Sequence, residues 1–301
     1  MTADQVLTAL FNAGIAVSVG ATVMSLGMTF TLRQLLAPLH RVGLVVVMVI
    51  VNAAVIPGVA WGIAEVSPVD DKYVPGLVLA TLGAGGAASL KAAQIARCAD
   101  LPLAVSVVVV LQLVNLLAVP LWAGQVVTGA SISAWDIVKS LLALVLLPLA
   151  VGLFIRSRYT EHADDWQASL VRIANLALVI ALSTGIAGNW STIKTMFGSW
   201  VIVIALVIVV VAGAIGALSG LLGGRRDTEA ITTTGLVSIF RFGSLGLIII
   251  GSQLGGEAVY IGPAITFALL DFILPLALAV EIGHRAAGGS GRPTSADNRA
   301  S

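Results

Sequence analysis

Two short stretches of an otherwise apolar chain carry residue types that could bind a charged ligand. The first, LGAGGAASLKAAQIAR at residues 82–97, combines three glycines with Ser89 and Lys91. Glycine in a helix interior costs about 1 kcal/mol relative to alanine, and a cation at membrane depth costs about 2.5–3.5 kcal/mol on insertion scales. An unwound backbone persists in a bilayer only beside a polar cavity or under protein cover. The stretch therefore predicts a helix that is broken to form half of a ligand site.

The second stretch is TTTGLVSIFRFGSLG at residues 232–246, in which Arg241 again lies among glycines and hydroxyl residues. It comes five predicted membrane spans after the first, so the two stretches cross in opposite directions. Interrupted segments at corresponding positions of two halves are typical of an inverted-repeat secondary transporter. Close helix packing is the alternative reading. It accounts for the glycines but not for Lys91 and Arg241.

Composition places the whole chain in a membrane. Of its 301 residues 58% are hydrophobic and 10% charged, with a mean hydropathy of +1.04, whereas a soluble domain has about 25% charged residues. A net charge of +1 excludes a nucleic-acid partner, and the single Cys98 excludes an intrachain disulfide. The three histidines fall in predicted loops, and no catalytic motif is present. We therefore expect no enzyme activity, no catalytic residue and no metal centre.

About nine segments are long enough to cross a bilayer. Loops after odd-numbered segments carry ten arginines, against two lysines after even-numbered ones. The positive-inside rule then predicts an N-terminus outside and a C-terminus in the cytoplasm, in the plasma (inner) membrane. We expect one transmembrane domain, residues 1–285, and a disordered cytoplasmic tail, residues 286–301. The predicted spans are 6–32, 42–65, 74–95, 101–126, 137–155, 170–187, 200–222, 230–254 and 258–282.

Along nearly its whole length the chain resembles the bile acid:sodium symporter family of organic-anion transporters. The resemblance is carried by MSLGMTFTL at 24–32, NAAVIP at 52–57, GGAAS at 85–89 with Ala96-Arg97 and LAV at 103–105, and the arginine-centred eighth span. It implies an all-α fold of two inverted five-helix repeats, a panel domain and a core domain. Two broken helices of the core cross near mid-membrane. The chain resembles members that lack the family's first span, which leaves nine.

Departures from the family pattern bear on the coupling ion. The resemblance implies that Ser89 and Asn52 occupy positions where sodium-coupled members bind cations. Other ligand positions lack side-chain oxygens, and Arg241 falls roughly where a glutamine is expected. A hard cation requires several oxygen ligands, and most of the ligands expected for Na⁺ are missing. Na⁺ is still one of the candidate coupling ions. We expect no other cofactor. The changed positions are Leu90, Ala104, Val108 and Val237.

Three intramembrane charges suit an anion site. Arg241 is permanently charged and offers a planar fork for a carboxylate, while Lys91 could bind the same anion or carry a coupled proton. Alternatively Lys91 extends to the cytoplasmic interface, and Arg241 forms a structural pair with Asp271. Gln112 and Asn115 could line the cavity or bridge helices.

The sequence thus predicts a secondary transporter of a small organic anion, working by alternating access with proton coupling or as a uniporter. A passive facilitator and a non-transporting membrane sensor are the alternatives. The expected partners are the lipid bilayer, the organic anion and Na⁺ or H⁺. The candidate ion-coupling residues are Lys91, Ser89 and Asn52. The candidate substrate-binding residues are Ser89, Lys91, Arg241, Asp271, Asn52, Gly86, Gly243 and Ser244.

Overall fold

Helices make up almost the entire fold. The computed structural model describes residues 3–29, 41–86, 88–126, 134–196, 198–223, 227–241, 243–254 and 257–289, and within these ranges it contains no β-strand. In chain order the helices are α1 (Ala3–Thr29), α2 (Val42–Ile50), α3 (Ile56–Val66), α4 (Val74–Thr81), α5 (Ala88–Ala96), α6 (Leu101–Val126), α7 (Ala134–Leu141), α8 (Leu147–Arg158), α9 (Thr160–Gly188), α10 (Trp190–Met196), α11 (Val201–Gly220), α12 (Thr228–Ile239), α13 (Gly243–Gln253) and α14 (Ala258–Gly289).

Among the described residues, six helical runs are long and apolar enough to cross a membrane. They are α1, α6, α9, α11, α14 and the run in which the π-helical segment Val51–Val55 joins α2 to α3. The predicted all-α membrane fold is therefore confirmed, while the count of nine spans remains a prediction. The other three predicted spans consist of shorter helices, namely α4 with α5, α12 with α13, and α7 with α8 through the π-helical segment Leu142–Leu146.

The last helix ends beyond the predicted domain boundary at residue 285. It continues to Gly289, so the first residues of the predicted disordered tail are helical. The rest of that tail lies outside the described residues.

Two groups of helices account for most of the packing, and both contribute to the main hydrophobic core. In the first group, α1 lies against α8 and α9. The approach of α1 to α8 depends on Gly27 and Gly152, since a Cβ on Gly27 would lie 3.0 Å from the Gly152 Cα. In the second group, α14 lies against α4 and α5, α13 against α4, and α12 against α11. The second group contains both interrupted helices and positions the candidate site.

Acidic residues cap two helices at one end of this second group. The Asp227 carboxylate accepts a hydrogen bond from the Ala230 backbone N–H (2.9 Å) and another from Arg41 (2.8 Å). The Ala230 N–H is the main reason why the pKa of Asp227 lies below its usual value. Asp100 accepts the Leu103 N–H at 3.0 Å, and its carboxylate lies 3.8 Å from Arg41. Arg41 thereby connects the start of α2 to the N-terminal ends of α6 and α12.

Gly246 tests whether α13 must lie directly against α4. A Cβ at this position would collide with the Leu79 carbonyl oxygen and come within 2.9 Å of the Ala80 Cα. We expect Gly246→Ala to destabilise the protein by about 1–3 kcal/mol because the backbones must separate. Thermal unfolding in detergent should show a lower midpoint. The matched control is Gly124→Ala, where nothing lies within 4 Å of the added Cβ and alanine should raise the midpoint or leave it unchanged. Equal midpoints for the two variants would contradict the packing.

Candidate functional site at the crossing of the interrupted helices

Both predicted interruptions are present, and they contact each other. The first separates α4 from α5 and the second separates α12 from α13. Between them, Ala84 and Arg241 form an isolated antiparallel β-bridge, and the Gly86 N–H donates to the Phe240 carbonyl oxygen at 3.4 Å. We call the two non-helical segments, residues 82–86 and 240–241, the crossing.

Side chains from α6 hold the first interruption in place. Gly85 has a φ of +73°, a left-handed conformation that favours glycine. The Gln112 side-chain amide donates to the Gly85 carbonyl oxygen at 2.9 Å, and the Asn115 amide donates to the Ala84 carbonyl oxygen at 2.9 Å. Both amides are buried. Of the two roles predicted for Gln112 and Asn115, the structure shows the bridging one. Their amides donate hydrogen bonds to carbonyls that have no donor within the broken helix.

The Arg241 side chain crosses from the second interruption to two other elements. Its Nε donates to the Thr81 carbonyl oxygen at 2.8 Å, at the C-terminal end of α4. Its Nη1 donates to the Asn52 Oδ1 at 2.8 Å and its Nη2 to the Asn52 carbonyl oxygen at 3.0 Å. The residue is only 4% exposed. Three side-chain nitrogens are therefore engaged by neutral oxygens.

Pro57 and the π-helical segment together explain why carbonyl oxygens are free beside Arg241. Proline has no N–H, so Pro57 leaves the Ala53 carbonyl, four residues earlier, without its helical donor. The Ile56 N–H, the usual α-helical partner of the Asn52 carbonyl, donates to the Val51 carbonyl oxygen instead. The Trp122 indole N–H donates to the Ala53 carbonyl oxygen at 2.8 Å, and Arg241 takes that of Asn52. The surrounding π-helical segment belongs to a class of helix irregularity that is frequent at functional sites.

Asp271 contacts Arg241 through the main chain. Its two carboxylate oxygens accept the Arg241 backbone N–H at 2.9 and 3.0 Å, and it is 4% exposed. No ion pair among the described residues joins the guanidinium to this carboxylate within 4.0 Å. The predicted structural contact between the two residues exists, but the atoms of Arg241 that make it belong to its backbone.

Ser89 and Gly86 lie at the start of α5. The Ser89 hydroxyl donates to the Gly86 carbonyl oxygen at 2.7 Å, and its backbone N–H donates to the same oxygen at 2.9 Å. Ser89 is fully buried. On the other side of the crossing, Gly243 and Ser244 begin α13, and their side chains lie outside the described parts of the chain.

Lys91 is not part of the buried cluster. It is exposed on α5, as is Gln94, while Ala92 and Ala93 are buried on the helix's inner side. Lys91 makes no hydrogen bond or ion pair with any other residue that the structure describes. Binding of the anion or a coupled proton by Lys91 and its extension to the cytoplasmic interface both remain predictions.

The four positions that the sequence resemblance relates to cation ligands belong to one hydrophobic cluster. They are buried members of one hydrophobic cluster, which also includes Met48 and Leu111. A cluster of this kind offers apolar carbon where a cation requires oxygen. The sequence identifies these positions separately but does not indicate that they share a cluster. The four are Leu90, Ala104, Val108 and Val237.

A family model matches about two thirds of the chain. Residues 16–220 match the family model described as the Sodium Bile acid symporter family. The matched range includes the first interruption, Asn52 and Lys91, and it ends before α12. No curated protein matches the chain.

Gln112 provides a test of how the first interruption is stabilised. Gln112→Leu keeps the volume but leaves the buried Gly85 carbonyl without its donor, so we expect a loss of about 1–3 kcal/mol in stability. Chemical or thermal unfolding in detergent measures it. Gln125→Leu is the matched control, because Gln125 is exposed on the same helix and its replacement should change stability by less than about 0.5 kcal/mol. If Gln112→Leu were as stable as the control, the hydrogen bond to Gly85 would not support the interruption.

Proposed function

The chain belongs to the sodium bile acid symporter family and is a membrane transporter of that type, and we propose that it carries a small organic anion by alternating access. The observation that carries this proposal is the backbone pairing of Ala84 with Arg241, which brings two broken helices together at one point. In secondary transporters, substrates bind where such half-helices meet near the bilayer midplane.

The charges around the crossing suit an anion. Both α5 and α13 begin there, and helix N-termini carry partial positive charge. Arg241 adds a permanent positive charge, which Asp271 offsets. Lys91, in the first turns of α5, adds another on an exposed surface. With all three side chains ionised the sum is about +1, which favours a monoanion.

We assign different roles to the two cations. Because the Arg241 guanidinium already donates to Asn52 and Thr81, it acts on the substrate through its field and by fixing the backbone of the crossing. Lys91 has no such engagement and contacts the substrate directly. Ser89, Gly86, Asn52, Asp271, Gly243 and Ser244 remain the other proposed substrate-site residues.

We further propose that transport does not require sodium. Four expected ligand positions are packed in a hydrophobic cluster, and the oxygens of Asn52 that face the crossing are bound by Arg241. Transport would then be coupled to protons through Lys91, or it would be uniport without a coupled ion. The same depletion of ion ligands favours a passive facilitator as the second candidate.

The proposed topology has nine crossings, with the N-terminus outside and the C-terminus in the cytoplasm of the plasma (inner) membrane. It is supported by contacts between loops that this topology places on the same side of the membrane. Arg41, Asp100 and Asp227 follow the first, third and seventh predicted spans and meet at one end. Tyr73 and Thr195, in the regions after the second and sixth spans, lie 3.4 Å apart through their hydroxyl oxygens. Such a topology makes the two interrupted helices antiparallel, as inverted repeats require.

Uptake into proteoliposomes tests the function. Purified protein would be assayed with a labelled bile acid, a steroid sulfate and a 2-hydroxy acid, under an imposed sodium, proton or no gradient. We expect saturable uptake of at least one anion, with equal rates when Na⁺ is replaced by K⁺ at constant ionic strength. Acceleration by a proton gradient identifies coupling, and its absence identifies a uniporter. Uptake that depends on Na⁺ would contradict the proposal, and saturable binding without flux would favour a sensor.

Lys91→Gln tests the substrate contact in the same assay. Loss of a charge-assisted hydrogen bond should raise KM by about tenfold or more, and any stimulation by a proton gradient should disappear. Lys139→Gln is the matched control, because Lys139 is also exposed but lies on α7 and pairs there with Asp136. Unchanged KM and coupling in Lys91→Gln would remove this residue from the mechanism.

A further inference from the structure

We propose that the crossing contains a cation-binding site built from neutral oxygens, and that this chain occupies the site permanently with its own Arg241 guanidinium. Three oxygens surround the guanidinium, namely the Thr81 carbonyl, the Asn52 carbonyl and the Asn52 Oδ1, at 2.8–3.0 Å. This inference concerns the binding site alone and goes beyond the proposed transport function.

The oxygens are held in position by groups other than Arg241. The Asn52 side-chain amide donates to the Met48 carbonyl and to the Ser238 hydroxyl, both at 3.0 Å, which turns its Oδ1 toward the guanidinium. The Asn52 carbonyl lies in the π-helical segment, where the Ile56 N–H donates to Val51 and leaves it free. These oxygens are therefore preorganised as ligands, as in a designed binding site.

The electrostatics of the site favour a cation over a neutral donor. Thr81 ends α4, and the last carbonyls of a helix carry partial negative charge. Asp271 lies on the other side, bound to the Arg241 backbone N–H. A buried arginine normally pairs with a carboxylate, whereas neutral oxygens bind this guanidinium. The three oxygens form a site suited to a monovalent cation that carries N–H donors in one plane. In this chain the Arg241 side chain fills that site.

The test is chemical rescue of Arg241→Ala. Truncation leaves the guanidinium site intact and open, so free guanidinium chloride at millimolar concentration should bind there and stabilise the full-length variant. Its unfolding midpoint in detergent should rise saturably with guanidinium, and neither urea nor tetramethylammonium chloride should reproduce the rise. These concentrations lie far below the molar range in which guanidinium denatures proteins.

Two variants control this experiment. Arg172→Ala removes an exposed arginine from α9 and should show no rescue, and the wild-type protein should show none because its site is filled. Adding Asn52→Leu to Arg241→Ala removes one ligand oxygen, which should abolish the rescue or weaken it at least tenfold.

If Arg241→Ala unfolds during purification, recovery of monodisperse protein replaces the unfolding midpoint as the readout. Extraction with guanidinium should then restore recovery, whereas extraction with urea should not. Absence of a selective guanidinium effect in both measurements would overturn the proposal. An equal effect on Arg172→Ala or on the wild type would overturn it as well. Because neither measurement involves transport, this inference and the transport proposal can fail independently.

Discussion

A helix that is interrupted inside a bilayer must find partners for the backbone groups that it leaves open, since lipid offers none. The rest of this site depends on how the chain meets that demand. At the first interruption, the amides of Gln112 and Asn115 donate to the carbonyls of Gly85 and Ala84. At the second, the Asp271 carboxylate accepts the Arg241 backbone N–H. The crossing is thus held by buried polar side chains from helices that surround it.

Arg241 extends this arrangement by satisfying oxygens from two further elements. It connects the end of α4 and the π-helical segment to the second interruption. In our proposal the same side chain supplies a fixed positive charge at a place where a transporter with oxygen ligands would need a bound ion. Val108 and Val237, which the resemblance places at ligand positions, are instead buried in a hydrophobic cluster. A fixed charge cannot dissociate, so it can attract an anion without coupling its movement to an ion gradient.

Much of the fold could be predicted from the sequence because its signals are local. Long apolar runs predict membrane helices, and glycines beside Lys91 and Arg241 predict the two interruptions. One of the two readings of Arg241 was a structural ion pair with Asp271. The two residues are in contact, but through the Arg241 backbone N–H, which depends on the backbone path through the crossing. Pro57 signals an irregular helix here, because a proline leaves the carbonyl four residues earlier without its donor. The engagement of Arg241 with Asn52 could have been sought there.

Other features of the site required three-dimensional packing. Leu90, Ala104, Val108 and Val237 come from three helices, and no pattern in the chain indicates that they share one cluster. The exposure of Lys91 depends on which face α5 presents, and a nine-residue helix with four alanines gives only a short pattern from which to predict that face. The predicted site therefore divides into a buried cluster around Arg241 and an exposed Lys91, a distinction that residue types alone do not make.

The most direct test of the resident positive charge is a sodium titration of the wild-type protein without substrate. Its unfolding midpoint would be followed in NaCl, KCl and N-methylglucamine chloride at equal ionic strength. A bound ion at one hundred times its Kd stabilises a protein by about 2.7 kcal/mol, which is readily detected. The account predicts the same midpoint in all three salts. A saturable rise that is specific to Na⁺ would contradict it.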